Sequence, residues 1–239
     1  MTTKTRTRFN APLKLVVIRV PKSHPNYLHA CECIAQSVKK GYSVQVFLHG
    51  PAVDHDLLEG GDRLSTFAEE EGVTVYLCQA AWQRLHQTQS LPSDAPYPVM
   101  SLITTWDAIE RAHEVNVFGF GRWPEHWPSL AAGEMGQATA TARAYGVMVA
   151  YSPSAADRDS LVEWVLAGAT LDLDLMVAFA GEGASEVEGE AARRWAQITD
   201  HDLAEVMTDA SIIQTHSAED PLPKDGRHPG LENRQWLVM

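Results

Sequence analysis

The sequence of 239 residues is poor in cysteine and has no long apolar run. It contains only three cysteines, and this odd number argues against a disulfide framework and favours the reducing cytoplasm. No run of 18 or more apolar residues is present, so no membrane-spanning helix is predicted. Residues 13–20 form a mostly apolar run that is too short, and too soon interrupted by Arg19 and Pro21, for a secretion signal. Residues 1–10 are expected to be a disordered lead-in.

The second half of the chain has few cations. The net charge is −12, and residues 1–121 carry a balance of only −1 while residues 122–239 carry −11. Nucleic-acid binding needs clustered Lys and Arg side chains, so the charge pattern argues against it. A glycine-rich phosphate loop is also missing after every predicted strand, which disfavours a nucleotide- or flavin-binding protein and predicts no cofactor.

What the sequence does contain is an alternation of β-branched runs with helical patterns, which predicts α/β halves built on mainly parallel sheets. Strands are predicted at 13–20, 42–48, 73–77, 115–120, 147–151, 173–180 and 211–215, with a closing edge strand at 234–239. Helices are predicted at 26–40 with Asn26 as its cap and Leu28 on its apolar face, and at 62–71, 79–86, 101–111, 157–171, 191–198 and 201–209.

The order of these elements repeats after a segment rich in Gly, Pro and small residues. Pro21 precedes Phe47 by 26 positions, and Pro153 precedes Phe179 by 26 positions. The repeat predicts two halves, residues 1–121 and 146–239, joined by a linker at 122–145. All three cysteines lie in the first half.

Cys78 is the main candidate functional residue. It follows the predicted strand 73–77 and precedes a predicted helix, the position where parallel sheets place ligands and chemistry. The amino end of that helix would favour its thiolate. The alternative is a small, buried, inert cysteine. In the second half, the equivalent position after the third predicted strand is residues 215–217, which contain no cysteine.

Residues near Cys78 could support it. Arg84 and His86 are candidate cationic neighbours of the thiolate, although a surface position is the favoured interpretation for both. The loop 87–98 is expected to cover the thiol. Three tryptophans could line a docking surface for a carrier protein, although packing is favoured for all of them: Trp106, Trp123 and Trp127.

Two further clusters contain metal-ligand residue types, but neither is predicted to bind a metal. Cys31 and Cys33 point about 200° apart on a helix, so a packed Cys31 and an incidental Cys33 are expected. The other cluster follows the second strand and consists of His49, Asp54, His55 and Asp56. A metal site needs three or more convergent ligands, and no later residues complete such a set, so a solvated loop without metal is predicted.

The arrangement resembles the DsrE/DsrF (TusD/TusC) sulfur-relay proteins, as a DsrE–DsrF fusion. The first half is similar to DsrE over 13–20, 45–50, 68–84 and 101–120, and its most specific match is the segment Gly72-Val-Thr-Val-Tyr-Leu-Cys78. The second half is similar to DsrF, most clearly over 147–179. The resemblance implies two tandem flavodoxin-like halves.

The resemblance further implies that Cys78 carries sulfane sulfur as a persulfide, in sulfur oxidation or in tRNA thiolation. It implies a TusA-like donor, a TusE/DsrC-like acceptor, and either a homo-oligomer or a complex with a DsrH-like chain. If the protein is an enzyme, it is of the sulfurtransferase type. The alternative is a non-catalytic scaffold or binding subunit with an inert Cys78.

Overall fold

The computed structural model describes residues 11–53, 63–85, 87, 97–122, 144–208 and 234–239. The chain is α/β and forms two parallel sheets in tandem, which confirms the predicted fold class. None of the helices in the described ranges combines the length and the apolar composition needed to cross a membrane.

The first sheet has the strand order β4-β3-β2-β1-β5. Its strands are β1 (Leu13–Ile18), β2 (Ser43–Leu48), β3 (Thr74–Cys78), β4 (Val99–Met100) and β5 (Glu114–Phe118). The helices of this half are α1 (Pro25–Lys39), α2 (Arg63–Glu70), α3 (Gln79–Leu85) and α4 (Leu102–Arg111), and a 3-10 turn spans Gly50–Val53.

The second sheet has the order β8-β7-β6-β9. Its strands are β6 (Ala144–Val149), β7 (Asp174–Phe179), β8 (Glu205–Thr208) and β9 (Gln235–Val238). Its helices are α5 (Ala155–Ala169) and α6 (Gly189–Thr199), with a 3-10 turn at Gly181–Val187. As predicted, the last strand is an edge strand. Gly146 allows the Trp236 ring to lie flat on β6, because a Cβ there would come within 2.3 Å of Trp236 Cε3.

The two sheets share one hydrophobic core. Its centre is aromatic: the rings of Trp106 on α4 and Trp164 on α5 lie 5.6 Å apart, and Trp106 Nε1 donates a hydrogen bond of 2.7 Å to the Trp164 carbonyl. Trp106 also contacts Tyr145 on β6. Helix α5 of the second half therefore packs against the first half as well as against its own sheet. Packing was the favoured role for Trp106, and Trp123 and Trp127 lie outside the described residues.

The start of α1 differs from the prediction. His24, not Asn26, is the N-cap, and its Nδ1 accepts from the Asn26 amide at 3.2 Å. The Asn26 side chain instead donates to the Gly119 carbonyl at 2.7 Å. Placing Leu28 on the packed face was also wrong, since it is 53% exposed and the buried face runs through Tyr27, Ala30, Cys31, Ile34 and Ser37.

The prediction of a helix at 201–209 was wrong, because β8 occupies 205–208. Helix α6 ends at Thr199 with Asp200 as its C-cap, and Asp202 has φ = 49°, which breaks the helical path. The chain then pairs with β7, with Phe179 opposite Thr208. β8 thus takes the third-strand position that was assigned to 211–215, a segment outside the described residues.

Candidate functional site

Three side chains form a row across the carboxyl edge of the first sheet. In the strand register, Ile18 pairs with Leu48 and Leu48 with Leu77, so the next position on each strand holds Arg19, His49 and Cys78. The His49 amide continues the ladder by donating to the Ile18 carbonyl at 2.9 Å. Neighbours in parallel register share a face of the sheet, so the three side chains point to the same side.

The face that carries this row is covered by α5 of the second half. Phe47, two residues before His49 and on the same face, lies 6.0 Å from the Trp164 ring, and His49 lies 4.9 Å from it. All three members of the row, Arg19, His49 and Cys78, are 1% exposed or less. The row is therefore a buried polar layer between the first sheet and α5.

The Cys78 thiol is held in its protonated form. Burial is the largest effect and raises its pKa to about 11. The amides of Ala81 and Ala80 act in the opposite direction, and Ala81 N donates to Cys78 Sγ at 3.5 Å. Glu163 on α5 raises the pKa further and Arg84 lowers it. The amino end of α3 does favour the thiolate, as the sequence suggested, but desolvation outweighs it.

Arg19 links the two halves through a buried ion pair. Its Nη2 lies 2.5 Å from Asp157 Oδ1 on α5, and Asp157 is 4% exposed. Arg19 Nη1 donates to Tyr151 Oη at 3.3 Å, and the Tyr151 hydroxyl donates to Asp157. Gly50, at φ = 58°, leaves room for the pair, since a Cβ there would lie 3.0 Å from Asp157 Oδ1.

His49 is neutral, with a defined tautomer. Burial lowers its pKa well below the ordinary value, and the charges of Arg19 and Arg84 lower it further. Its Nδ1 accepts from Arg19 Nε at 3.0 Å, so the ring proton is on Nε2. A neutral imidazole with one lone pair bound to arginine does not act as a metal ligand through that nitrogen. In the described residues, no three His, Cys, Asp or Glu side chains are placed to hold a metal, and Asp54, His55 and Asp56 lie outside those residues.

A pocket of about 470 Å³ lies beside the row, between the two halves. The first half contributes Ala81 and Arg84 from α3, together with Gly50 and Pro51. The second half contributes the amino end of α5, including Asp157 and Ser160. Ala81, whose amide donates a hydrogen bond to Cys78 Sγ, is therefore part of the pocket wall.

Arg84 connects α3 to α5 at this pocket. Its Nη1 donates to Ser160 Oγ at 2.6 Å, and its Nη2 pairs with Glu163. It influences the Cys78 pKa, although less than burial and the backbone amides do. His86, the other predicted neighbour, lies outside the described residues.

The other two cysteines lie away from the row. Cys31 is fully buried in the core, and Cys33 is partly exposed with its Sγ 3.4 Å from Asn116 Oδ1. Sequence reasoning did not identify Arg19, Asp157 or the role of His49. A polar residue directly after each of two apolar strands was the available signal for Arg19 and His49.

No family model and no curated protein matches this chain. Among solved structures it is similar to the crystal structure of the ychN protein from E. coli, with 16% identity and a TM-score of 0.35, over 45% of this chain and 99% of that chain. At this identity and TM-score the similarity supports no conclusion about the site.

Proposed function

We propose that the protein is a sulfur-relay protein of the DsrE/DsrF type that holds sulfane sulfur as a persulfide on Cys78. The observation that supports this most is the position of Cys78. It ends β3 at the carboxyl edge of the sheet, in a row with His49 and Arg19, and its Sγ accepts from Ala81, which lines a pocket formed by both halves. A thiol that only filled the core would not need polar neighbours in its row.

The transfer itself needs no cofactor or oxidant. The Cys78 thiol first loses its proton, and the thiolate then attacks the outer sulfur of a donor persulfide. A new S–S bond forms on Cys78, the S–S bond of the donor breaks, and the donor leaves as a thiolate that takes up the proton. Delivery to an acceptor thiol is the same exchange in reverse. In this proposal the donor is TusA-like, the acceptor is TusE/DsrC-like, and a DsrH-like chain or a second copy completes the assembly in the cytoplasm.

Access to the thiol requires a local opening. Cys78 is 0% exposed, and its pKa of about 11 leaves only about one thiol in ten thousand ionised at pH 7. The described state is therefore a protected state, and the reactive thiolate forms when the wall around Ala81 moves.

The same burial favours a second candidate function, a non-catalytic scaffold or binding subunit whose Cys78 is inert. A buried thiol with a raised pKa is the usual property of a structural cysteine. The two candidates differ in whether Cys78 ever takes up sulfur.

Intact mass after incubation with inorganic polysulfide tests the proposal. Wild-type protein should gain the mass of one sulfur atom, Cys78→Ser should not, and Cys33→Ser should behave as wild type because Cys33 lies outside the row. Peptide mapping then assigns the added sulfur. An unmodified wild type, or an equal gain on Cys78→Ser, would support the scaffold instead.

A further inference from the structure

Two of the three positions of the polar row hold alanine in the described part of the second sheet. In this sheet Val149 pairs with Phe179, so the positions equivalent to Arg19 and His49 are Ala150 and Ala180. The third equivalent position, residue 209, lies outside the described residues. The backbone is the same at both places, since the Ala180 amide donates to the Val149 carbonyl at 3.1 Å just as the His49 amide donates to Ile18. The architecture accepts alanine at these positions and does not require a buried arginine or histidine.

Burying Arg19 and His49 is energetically unfavourable by itself. A buried guanidinium must be paired, and Asp157 serves this purpose from the other half of the chain. Apolar side chains of similar volume often give equal or greater stability than such a buried pair. The first half therefore keeps these polar groups beside Cys78 at a net disadvantage, which points to a use at the site.

The geometry of the His49 ring indicates that use. Nδ1 faces Arg19, so the opposite edge of the ring, which carries Cδ2 and Nε2, is turned away from Arg19. β3 with Cys78 is the strand on that other side of β2. Because Arg19 occupies the lone pair of Nδ1, His49 presents an Nε2–H donor and no base on this edge. A neutral donor can stabilise an anion in a site from which water is excluded.

We infer that His49 donates a hydrogen bond through Nε2–H to the anionic outer sulfur of a persulfide on Cys78, and that Arg19 is a positioning residue that fixes the His49 tautomer. This inference rests on the proposed function. The outer sulfur lies about 2 Å beyond Sγ, so it can contact groups that the Sγ atom of the thiol does not. Arg19 acts through the ring and need not touch the sulfur.

The charged side chains around the row neutralise one another, so His49 can stabilise the persulfide anion. Asp157 on α5 already neutralises Arg19. Arg84 on α3 faces both His49 and Cys78, but it is paired with Glu163, which itself faces Cys78. The buried anion therefore meets two ion pairs of little net charge. The Ala81 and Ala80 amides act on Sγ itself, so His49 is the directed N–H donor assigned here to the outer sulfur.

The test is the pH dependence of alkylation of the loaded persulfide. Wild type, His49→Ala and His49→Gln are loaded with inorganic polysulfide, desalted and treated with iodoacetamide at a series of pH values, and mass spectrometry follows the Cys78 peptide. The midpoint of the rate profile is the pH at which half of the persulfide is anionic. In His49→Ala this midpoint should rise by about one pH unit, which is about tenfold in the anionic fraction or about 1.4 kcal/mol. His49→Gln is similar in size and keeps an N–H donor, so its midpoint should rise less.

A purely structural role for His49 predicts the opposite sign. Loosening the site would hydrate the persulfide and lower its midpoint, whereas loss of a donor raises it. The double variant Arg19→Met/Asp157→Leu removes the ion pair without leaving a lone buried charge and should raise the midpoint in the same direction. His113→Ala, an exposed histidine at the opposite edge of the sheet, is the matched control.

The outcomes separate the inference from the proposed function. If wild type gains sulfur on Cys78 and the midpoint in both His49 variants is unchanged or lower, the inference is wrong while the relay function stands. If wild type gains no sulfur, the relay function fails and the inference fails with it. A raised midpoint in His49→Ala that is partly restored in His49→Gln supports both.

Discussion

The reactivity of Cys78 toward a small alkylating reagent should rise steeply with pH well beyond the range of an ordinary cysteine. A thiol at the ordinary pKa of 9.0 would be about 1% ionised at pH 7, whereas the value of about 11 leaves about 0.01%. Ionisation alone therefore slows Cys78 about 100-fold at neutral pH. Access through the wall around Ala81 adds a further factor that does not depend on the Cys78 proton.

The pH profile reports the buried state even if alkylation occurs only after a local opening. While the closed, protonated form is the main species, the population of open thiolate grows tenfold per pH unit until the closed form itself ionises. The logarithm of the rate should thus rise with a slope of one from pH 7 through pH 10. Only above about pH 11 should it level off.

Iodoacetamide labelling followed by peptide mapping measures each cysteine in the same sample. Cys33, which is partly exposed, reports on the reagent, and Cys31 in the core reports on global unfolding. Circular dichroism at each pH checks that the fold persists. A Cys78 rate that levels off near pH 9 or below would refute the conclusion that burial controls this thiol.

Three further predictions concern stability, measured by urea unfolding. The pKa of His49 is lower in the folded protein than its ordinary 6.5, so its contribution to the free energy of unfolding is present above pH 6.5 and is lost as the pH falls. Wild type should therefore lose up to about 1.4 kcal/mol per pH unit relative to His49→Leu. Parallel stability profiles of the two proteins would contradict this. Asp157→Ala leaves Arg19 buried without its partner and should cost about 3–5 kcal/mol, and a loss below about 1 kcal/mol would show that the pair is not buried in solution. Gly146→Ala places a Cβ against the Trp236 ring and should cost about 1–3 kcal/mol, and an unchanged midpoint would contradict the close approach.

The strands of both sheets were predictable where local pattern and burial agree. β1, β2 and β7 are rich in apolar and β-branched residues, and β1 and β7 are buried on both faces over most of their length, so their sequences alone indicate strands. The two-residue strand β4 is too short to give any periodic signal. Its place in the sheet depends on pairing with β3, which is a tertiary contact.

The error at β8 has a definite cause. Leu203, Val206 and Met207 are spaced i, i+3 and i+4, which is the spacing of an amphipathic helix. Asp202 in the left-handed region and hydrogen bonds to β7 decide for a strand instead. Neither is visible in local spacing, because the pairing partner lies about 30 residues earlier in the chain.

The position of Cys78 was predictable, and its surroundings were not. A strand that runs into a cysteine and then a helix is a local pattern, and β3 and α3 follow it. Arg19 and Asp157 are 138 positions apart in the sequence, so no local sequence pattern indicates that the cation is buried and paired. The row with His49 depends on the register of three strands, which only the assembled sheet fixes.

The two helices that flank the pocket are held with very different strength. Helix α5 is fixed by Trp164 and Val165, both fully buried, and by the Asp157 ion pair. Helix α3 has only seven residues; Ala81 and Trp82 anchor it in the core, whereas Leu85 at its end is 46% exposed. Its ion pair to α5 through Arg84 is partly exposed, and pairs of this kind contribute about 0–1 kcal/mol. Opening the last turn of α3, beyond the buried Trp82, therefore disrupts less than moving α5.

Native-state hydrogen exchange can locate the opening that uncovers Cys78. Amides in the second turn of α3 should exchange at least about tenfold faster than those in the middle of α5, because α3 opens locally while α5 exchanges only with much larger unfolding. Arg84→Met, which keeps an unbranched apolar stem but removes the ion pair, should speed exchange in α3 and leave α5 unchanged. Equal protection of the two helices would mean that Cys78 is reached only when the two halves separate, and that result would favour the inert, scaffolding cysteine over the persulfide carrier.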